Sequence, residues 1–168
     1  MIIYTDGSAH PNPGPGGYGV VVYNDENKII DAYSHYETQT TNNEQELKAI
    51  LYTMIHYGKN EFCTPVVYSD SAYAINTLTN WMFNWEKNGW RKSDKKIPEN
   101  LALIKTYFDL YSKGYRIDLR KIKGHEGIEG NELADKLASG KIKCICQLKD
   151  NNKVELDTKL LKLLKIEK

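Results

Sequence analysis

A chain of 168 residues, 40% hydrophobic and 11% aromatic, can bury one core of ordinary size, which excludes global disorder. Lys and Arg number 23 against 22 Asp and Glu, a formal charge of +1, which argues against coating nucleic acid through bulk positive charge. No apolar run approaches the roughly 20 residues of a membrane-spanning helix. Met1 leads directly into Ile2-Ile3-Tyr4-Thr5-Asp6 without a basic or apolar leader, so the expectation is a cytoplasmic protein with no membrane partner. Cys63, Cys144 and Cys146 are too few, and odd in number, for a disulfide framework, and Cys144-x-Cys146 lacks the second pair that zinc requires.

In chain order, Ile2 to Thr5 is a short β-branched run that predicts a strand. Tyr18 to Tyr23, with Val20, Val21 and Val22, predicts a second and Ile29 to Glu37 a third. The polar cluster Asn24-Asp25-Glu26-Asn27 between them marks a hairpin or meander. The period then changes: Leu47, Ile50, Leu51, Met54 and Ile55 predict a helix over Asn43–Tyr57, closed by Gly58 as a C′ glycine. Pro65 to Ser69 is a short buried strand, and a helical stretch runs from Ser71 through Leu78. Leu101, Ile104, Phe108 and Tyr111 repeat at helical spacing up to Gly114. Tyr115, Ile117 and Leu119 alternate with Arg116, Asp118 and Arg120, which predicts a fifth strand, and Leu133, Leu137 and Ala138 mark a last helix after Gly130. The order βββαβ(αα)αβα describes an α/β fold, a five-stranded mixed sheet flanked by helices. A boundary falls near Gly140: residues 1–140 carry a net −3 and residues 141–168 a net +4.

Four carboxylates are conspicuous by position. Asp6 ends the first strand, Glu46 borders the apolar stripe of the first long helix, Asp70 follows the Val66-to-Ser69 strand, and Asp135 lies in the last helix beside Leu133, Ala134 and Leu137. Singly, each reads as a turn residue or a helix cap, and Asp70 would cap the helix after it. Gathered at one core edge they would repel one another, an arrangement that makes sense for hard divalent cations such as Mg²⁺ or Mn²⁺. Two such ions about 3.5–4 Å apart activate a water and stabilise a leaving oxygen at a phosphodiester.

Thr5-Asp6-Gly7-Ser8, with Asn12-Pro13-Gly14-Pro15-Gly16-Gly17-Tyr18-Gly19 after it, resembles the opening of the type 1 ribonucleases H. Thr40-Thr41-Asn42-Asn43-x-x-Glu46-Leu47, Ser69-Asp70-Ser71 and Gly124-His125-x-Gly127-x-x-x-Asn131-Glu132-x-x-Asp135 supply three further blocks in the same order. The resemblance spans residues 1–140 and implies the ribonuclease H-like fold. It also implies endonucleolytic hydrolysis of the RNA strand of an RNA–DNA hybrid with two Mg²⁺ ions, Mn²⁺ being a possible substitute, leaving 5′-phosphate and 3′-hydroxyl ends. The family's metal-binding carboxylates fall on Asp6, Glu46, Asp70 and Asp135, and its mobile-loop histidine on His125, a residue type able to move protons near neutrality. Asn12, Asn42 and Asn43 match hybrid-contacting positions, and their short amides suit the shallow groove that displays the RNA 2′-hydroxyl. The glycines from Gly14 to Gly19 are read as a turn and strand entry and make no G-x-G-x-x-G loop.

All three tryptophans, Trp81, Trp85 and Trp90, fall within ten residues, interleaved with or followed by Lys87, Arg91, Lys92, Lys95 and Lys96. Aromatics among cations make a platform for a nucleic-acid backbone, although Trp81 and Trp85, one helical turn apart, can equally pack a short helix. Residues from about 80 to 100 resemble the basic handle of the bacterial and animal-like enzymes. By that resemblance Tyr73 and Trp81 line the DNA-strand channel, while Thr41 and Asn100 hold a DNA phosphate.

Gln39 and Glu44 stand where relatives often carry basic residues, which predicts weaker hybrid affinity than a typical handle-bearing enzyme has. The basic extension 141–168 matches no block of the family, and its leucines predict a helix near 157–166 that docks on the body. A monomer is expected. Two rival readings are a catalytically inactive hybrid-binding module and a DDE-type integrase or transposase-like nuclease.

Overall fold

The computed structural model describes residues 1–124 and 126–142, so His125 and the extension from residue 143 on, with its expected helix near 157–166, lie outside the described residues. Three antiparallel strands open the chain: β1 (Ile2–Ala9), β2 (Gly14–Tyr23) and β3 (Ile29–Thr40). They are followed by helix α1 (Asn42–Tyr57), strand β4 (Val66–Ser69), helices α2 (Ala72–Asn76), α3 (Met82–Lys87) and α4 (Leu101–Ser112), strand β5 (Asp118–Lys121) and helix α5 (Glu129–Ser139). The sheet order is β3-β2-β1-β4-β5, with β4 parallel to both β1 and β5. This is the expected five-stranded mixed sheet flanked by helices.

Alternation along the strands decides which layer covers which face. Ile3, Tyr18, Val20, Val22 and Val67 point to one side and bury against Ala49 and Tyr52 of α1. Val21 and Tyr23 point to the other, where Ala134 and Leu137 of α5 cover them. Beyond α1, a second cluster joins Leu47, Ile50, Leu51 and Met54 to Ala74, Leu78 and Met82 and to Ile104 and Tyr107 of α4. The helix expected over 71–78 continues to Lys87 through a π-helical turn at Thr77–Trp81. That turn re-phases the helix, so that Met82 is fully buried while Trp81 is 39% exposed.

Three local readings change. The glycine run is strand and not turn: β1 and β2 stay paired as far as Ala9 opposite Gly16. What these positions require is clearance, since a Cβ on Gly19 would lie 2.4 Å from the Ala134 carbonyl oxygen and 2.6 Å from Leu137 Cβ. The absent side chains let α5 rest on the sheet backbone. Gly58 has φ −75°, so it closes α1 in right-handed conformation, and it is close approach to the Met54 carbonyl that excludes a side chain there. The last strand starts at Asp118, later than the alternation from Tyr115 predicts. Tyr115 and Arg116 donate backbone N–H groups to Leu110 and Gly58, and pairing with β4 begins only at Asp118 opposite Val66.

Candidate active site

β1 and β4 are adjacent, parallel and central, so the residues at their C-terminal ends come together. Asp6 stands on β1 and Asp70 just after β4. Gly7 lets α1 approach the same point: a Cβ there would meet the Glu46 backbone nitrogen at 2.2 Å. Asp6, Glu46 and Asp70 each place a carboxylate oxygen within 4.8 Å of the others. The helix cap that Asp70 was suited to provide comes instead from Ser71, whose hydroxyl accepts from the Ala74 N–H at 3.1 Å. Gly124 presses on Asp70 from the side, where a Cβ would lie 2.5 Å from Oδ2.

The electrostatics fit a site for a divalent cation. Burial, then the charges of Asp70 and Asp135, push the Asp6 carboxyl up to about 7. Glu46 is driven well above its ordinary value by burial first and then by Asp6 and Asp70. Its Oε2 is buried with no hydrogen-bond partner. An unpaired buried carboxylate oxygen among other carboxylates is costly unless a metal ion completes it. The residues present therefore fit a hard divalent ion. Asp135, on the turn of α5 after Ala134, lies outside the tight trio but close enough to act on Asp6.

Around this centre the expected contact residues divide. Asn42 accepts from the Ala9 N–H at 2.6 Å and donates its own N–H to Asn12 Oδ1 at 3.2 Å, which ties the end of β1, the following loop and the start of α1 into one corner. Thr41 caps α1, its hydroxyl accepting from the Glu44 N–H at 3.1 Å, and Asn43 follows in the first turn. Asn100, left-handed at φ 58°, donates from Nδ2 to the Tyr73 hydroxyl at 3.2 Å. These two are therefore adjacent.

Of the tryptophans, Trp81 is exposed, while Trp85 and Trp90 pack against the α1–α4 core. Trp90 meets Phe108 edge-on at 5.3 Å, with Lys105 over its ring at 5.7 Å. Beyond them Lys87 and Arg91 are exposed, and Lys92 is half-buried in a turn closed by Lys92 and Lys96 backbone bonds.

Sequence reasoning missed two things. The clearances at Gly7 and Gly124 are contacts between distant segments and leave no local pattern. The other is a buried polar network at the same corner, joining Glu37, Thr40, Glu44, Gln45 and Lys48. It did have a signal, because Thr41-x-x-Glu44 is a capping-box spacing and Lys48 lies one turn after Glu44.

The RNase H family model matches residues 1–143. Among curated relatives, Ribonuclease H of Thermoanaerobacter sp. (strain X514) is 42% identical over 143 residues, covering 84% of this chain and 88% of that protein. Among solved structures, LC9-RNase H1, a type 1 RNase H with the type 2 active-site motif, superposes with a TM-score of 0.68 at 27% identity, covering 86% of this chain and 74% of that one. LC11-RNase H1, solved in complex with RNA/DNA hybrid, gives 0.60 at 25% identity, covering 82% and 92%. A family match over most of the chain, joined to a carboxylate cluster where the ends of β1 and β4 meet α1, leads to one conclusion: this chain belongs to the RNase H family of enzymes.

Proposed function

We propose that the chain hydrolyses the RNA strand of RNA–DNA hybrids endonucleolytically, with Asp6, Glu46, Asp70 and Asp135 holding two divalent ions, Mg²⁺ in the first place. The observation that carries this reading is the trio of carboxylates within 4.8 Å of one another, with one buried Glu46 oxygen unpaired. When bound, such ions supply Lewis acidity toward the scissile phosphate and its attacking water, which gives 5′-phosphate and 3′-hydroxyl ends. The protein's own contribution is positional. β1 and β4 fix Asp6 and Asp70, α1 brings Glu46, and α5 sets Asp135 at the rim. His125, next to Gly124, is the proton-transferring residue of the loop in this reading.

Asn12, Thr41, Asn42 and Asn43 form the corner that meets the hybrid. Tyr73, Trp81 and Asn100 receive the DNA strand, with the cations Lys87, Arg91 and Lys92 beyond. The solved complex of LC11-RNase H1 with RNA/DNA hybrid supports that substrate class. All four carboxylates come from one chain, consistent with action as a monomer. No helix among the described residues is long and apolar enough to cross a membrane; work in the cytoplasm is part of the proposal.

The test is incubation of end-labelled RNA as hybrid, RNA duplex and single strand, with Mg²⁺, with Mn²⁺ or with chelator. Cleavage confined to the hybrid, and abolished by chelator and by Asp70→Asn, is expected. Hybrid bound but left intact with either metal would replace this reading by a binding module.

A further inference from the structure

Among the described residues Lys48 has one of the least exposed side chains, at 1%. Its ammonium lies against Glu37 Oε2 and 3.0 Å from Glu44 Oε1. Gln45 Nε2 donates to the same Glu37 oxygen at 2.5 Å and to Thr40 Oγ1 at 2.7 Å, and the Thr40 hydroxyl donates to Glu44 Oε2 at 2.7 Å. Two carboxylates and one ammonium thus join the last residues of β3 to the first two turns of α1. Glu44 is also the residue whose N–H Thr41 caps. The assembly borders Thr41, Asn42 and Asn43, spanning the end of β3 and the first two turns of α1.

A buried ion triad adds little net stability over apolar side chains of the same volume, so its consequence lies in what it holds and what charge it presents. The triad's formal charge is −1, two carboxylates against one ammonium. Without Lys48 it would be −2, carried partly by Glu44, whose side chain is 25% exposed on the corner. A corner that receives a polyanionic backbone discriminates strongly against that second charge.

We propose that Lys48 is a positioning and charge-setting residue for hybrid binding: it fixes the β3–α1 corner and neutralises Glu44, the partly exposed acid beside Thr41, Asn42 and Asn43. This rests on the proposed hybrid cleavage. It also changes the meaning of Glu44, whose charge is answered from inside the protein and not left facing the substrate. KM for hybrid then follows the net charge of the triad, and kcat does not, because the carboxylate trio is untouched.

The experiment measures kcat and KM on hybrid at low and high salt for the full chain and for Lys48→Met, Glu44→Gln and the double variant, with folding checked by circular dichroism. Lys48→Met should raise KM about tenfold with kcat within about twofold, and the effect should shrink as salt rises. Glu44→Gln should lower KM about threefold. The double variant restores a triad charge of −1, and its KM should return to within about twofold of the parent. A merely structural lysine predicts the opposite, a double variant no better than Lys48→Met, and that result overturns the proposal.

If Lys48→Met alone fails to fold, Glu44→Gln carries the test, and an unchanged or raised KM overturns it. A parent chain that leaves hybrid uncut would instead sink the proposed function. Hybrid binding in chelator, read by fluorescence anisotropy, then still tests whether affinity follows the same order of charge.

Discussion

Replacing Asp6 by Asn should abolish cleavage and at the same time stabilise the metal-free protein. Asp6 is 7% exposed, and its carboxyl is pushed up to about 7 from 3.8 by burial and by Asp70 and Asp135. Because the folded value exceeds the unfolded one, the folded state holds this proton more tightly. Stability from this group is therefore complete below the unfolded pKa and is lost as pH rises toward about 7. A shift of about three pKa units corresponds to roughly 4 kcal/mol. Glu46 moves in the same direction from the same repulsion, so the two contributions overlap and do not add.

With chelator at about pH 8, Asp6→Asn should gain roughly 2–4 kcal/mol, which moves the urea midpoint up by about 1–2 M for an ordinary m-value. Near about pH 5 the gain should be much smaller. Saturating Mg²⁺ should narrow the difference, since an ion at about a hundredfold its Kd adds about 2.7 kcal/mol to the parent and less to the variant. Urea titrations of both proteins at the two pH values, with and without Mg²⁺, make the comparison. A parent whose metal-free stability rises between about pH 5 and about pH 8, or a variant no more stable than the parent, would refute the reasoning.

Gly19→Ala should lower Tm by roughly 3–10 °C, because the added methyl meets the Ala134 carbonyl oxygen at 2.4 Å and neither backbone can yield cheaply; differential scanning calorimetry measures it. Trp81→Ala and Trp90→Ala should separate. The first should lose roughly tenfold or more in hybrid affinity with little change in Tm. The second, which removes the ring packed on Phe108, should lose about 2–4 kcal/mol of stability in denaturant titration. Gln39→Arg, on the exposed end of β3, should tighten hybrid binding several-fold and steepen the slope of log Kd against log salt by about one; an unchanged slope means the side chain does not reach phosphate.

Much of the site was legible before the fold was known. The four carboxylates sit at punctuation points of hydrophobic periodicity, and periodicity reports element type well. Residue-level strand limits were not legible, because Gly16, Gly17 and Gly19 have no side chain with which to show strand alternation, and the clearance each provides is visible only against β1, β3 and α5 respectively. The β5 start was misread for a related reason: Tyr115 and Ile117 are apolar because they pack on the α1–α4 cluster, not because they belong to the ladder. Trp90 shows the limit of composition. An aromatic among lysines suggests a platform, and only the Phe108 contact reveals a strut. Glu44 is the sharpest case, for its neighbours in sequence give its charge, while Glu37 and Lys48 give its surroundings.

The central place of β1 has a kinetic consequence. Asp6 is near one end of the polypeptide and Asp135 near the other end of the described residues, and they meet only when α5 lies across β1 and β2. Catalytic competence is then a property of the finished molecule, and no early hairpin or isolated helix can gather all four carboxylates. Cleavage regained during refolding should lag behind the return of helical signal and keep pace with α5 docking. A nuclease built this way is silent as a fragment: proteolysis that frees the last helix disarms it at the first cut.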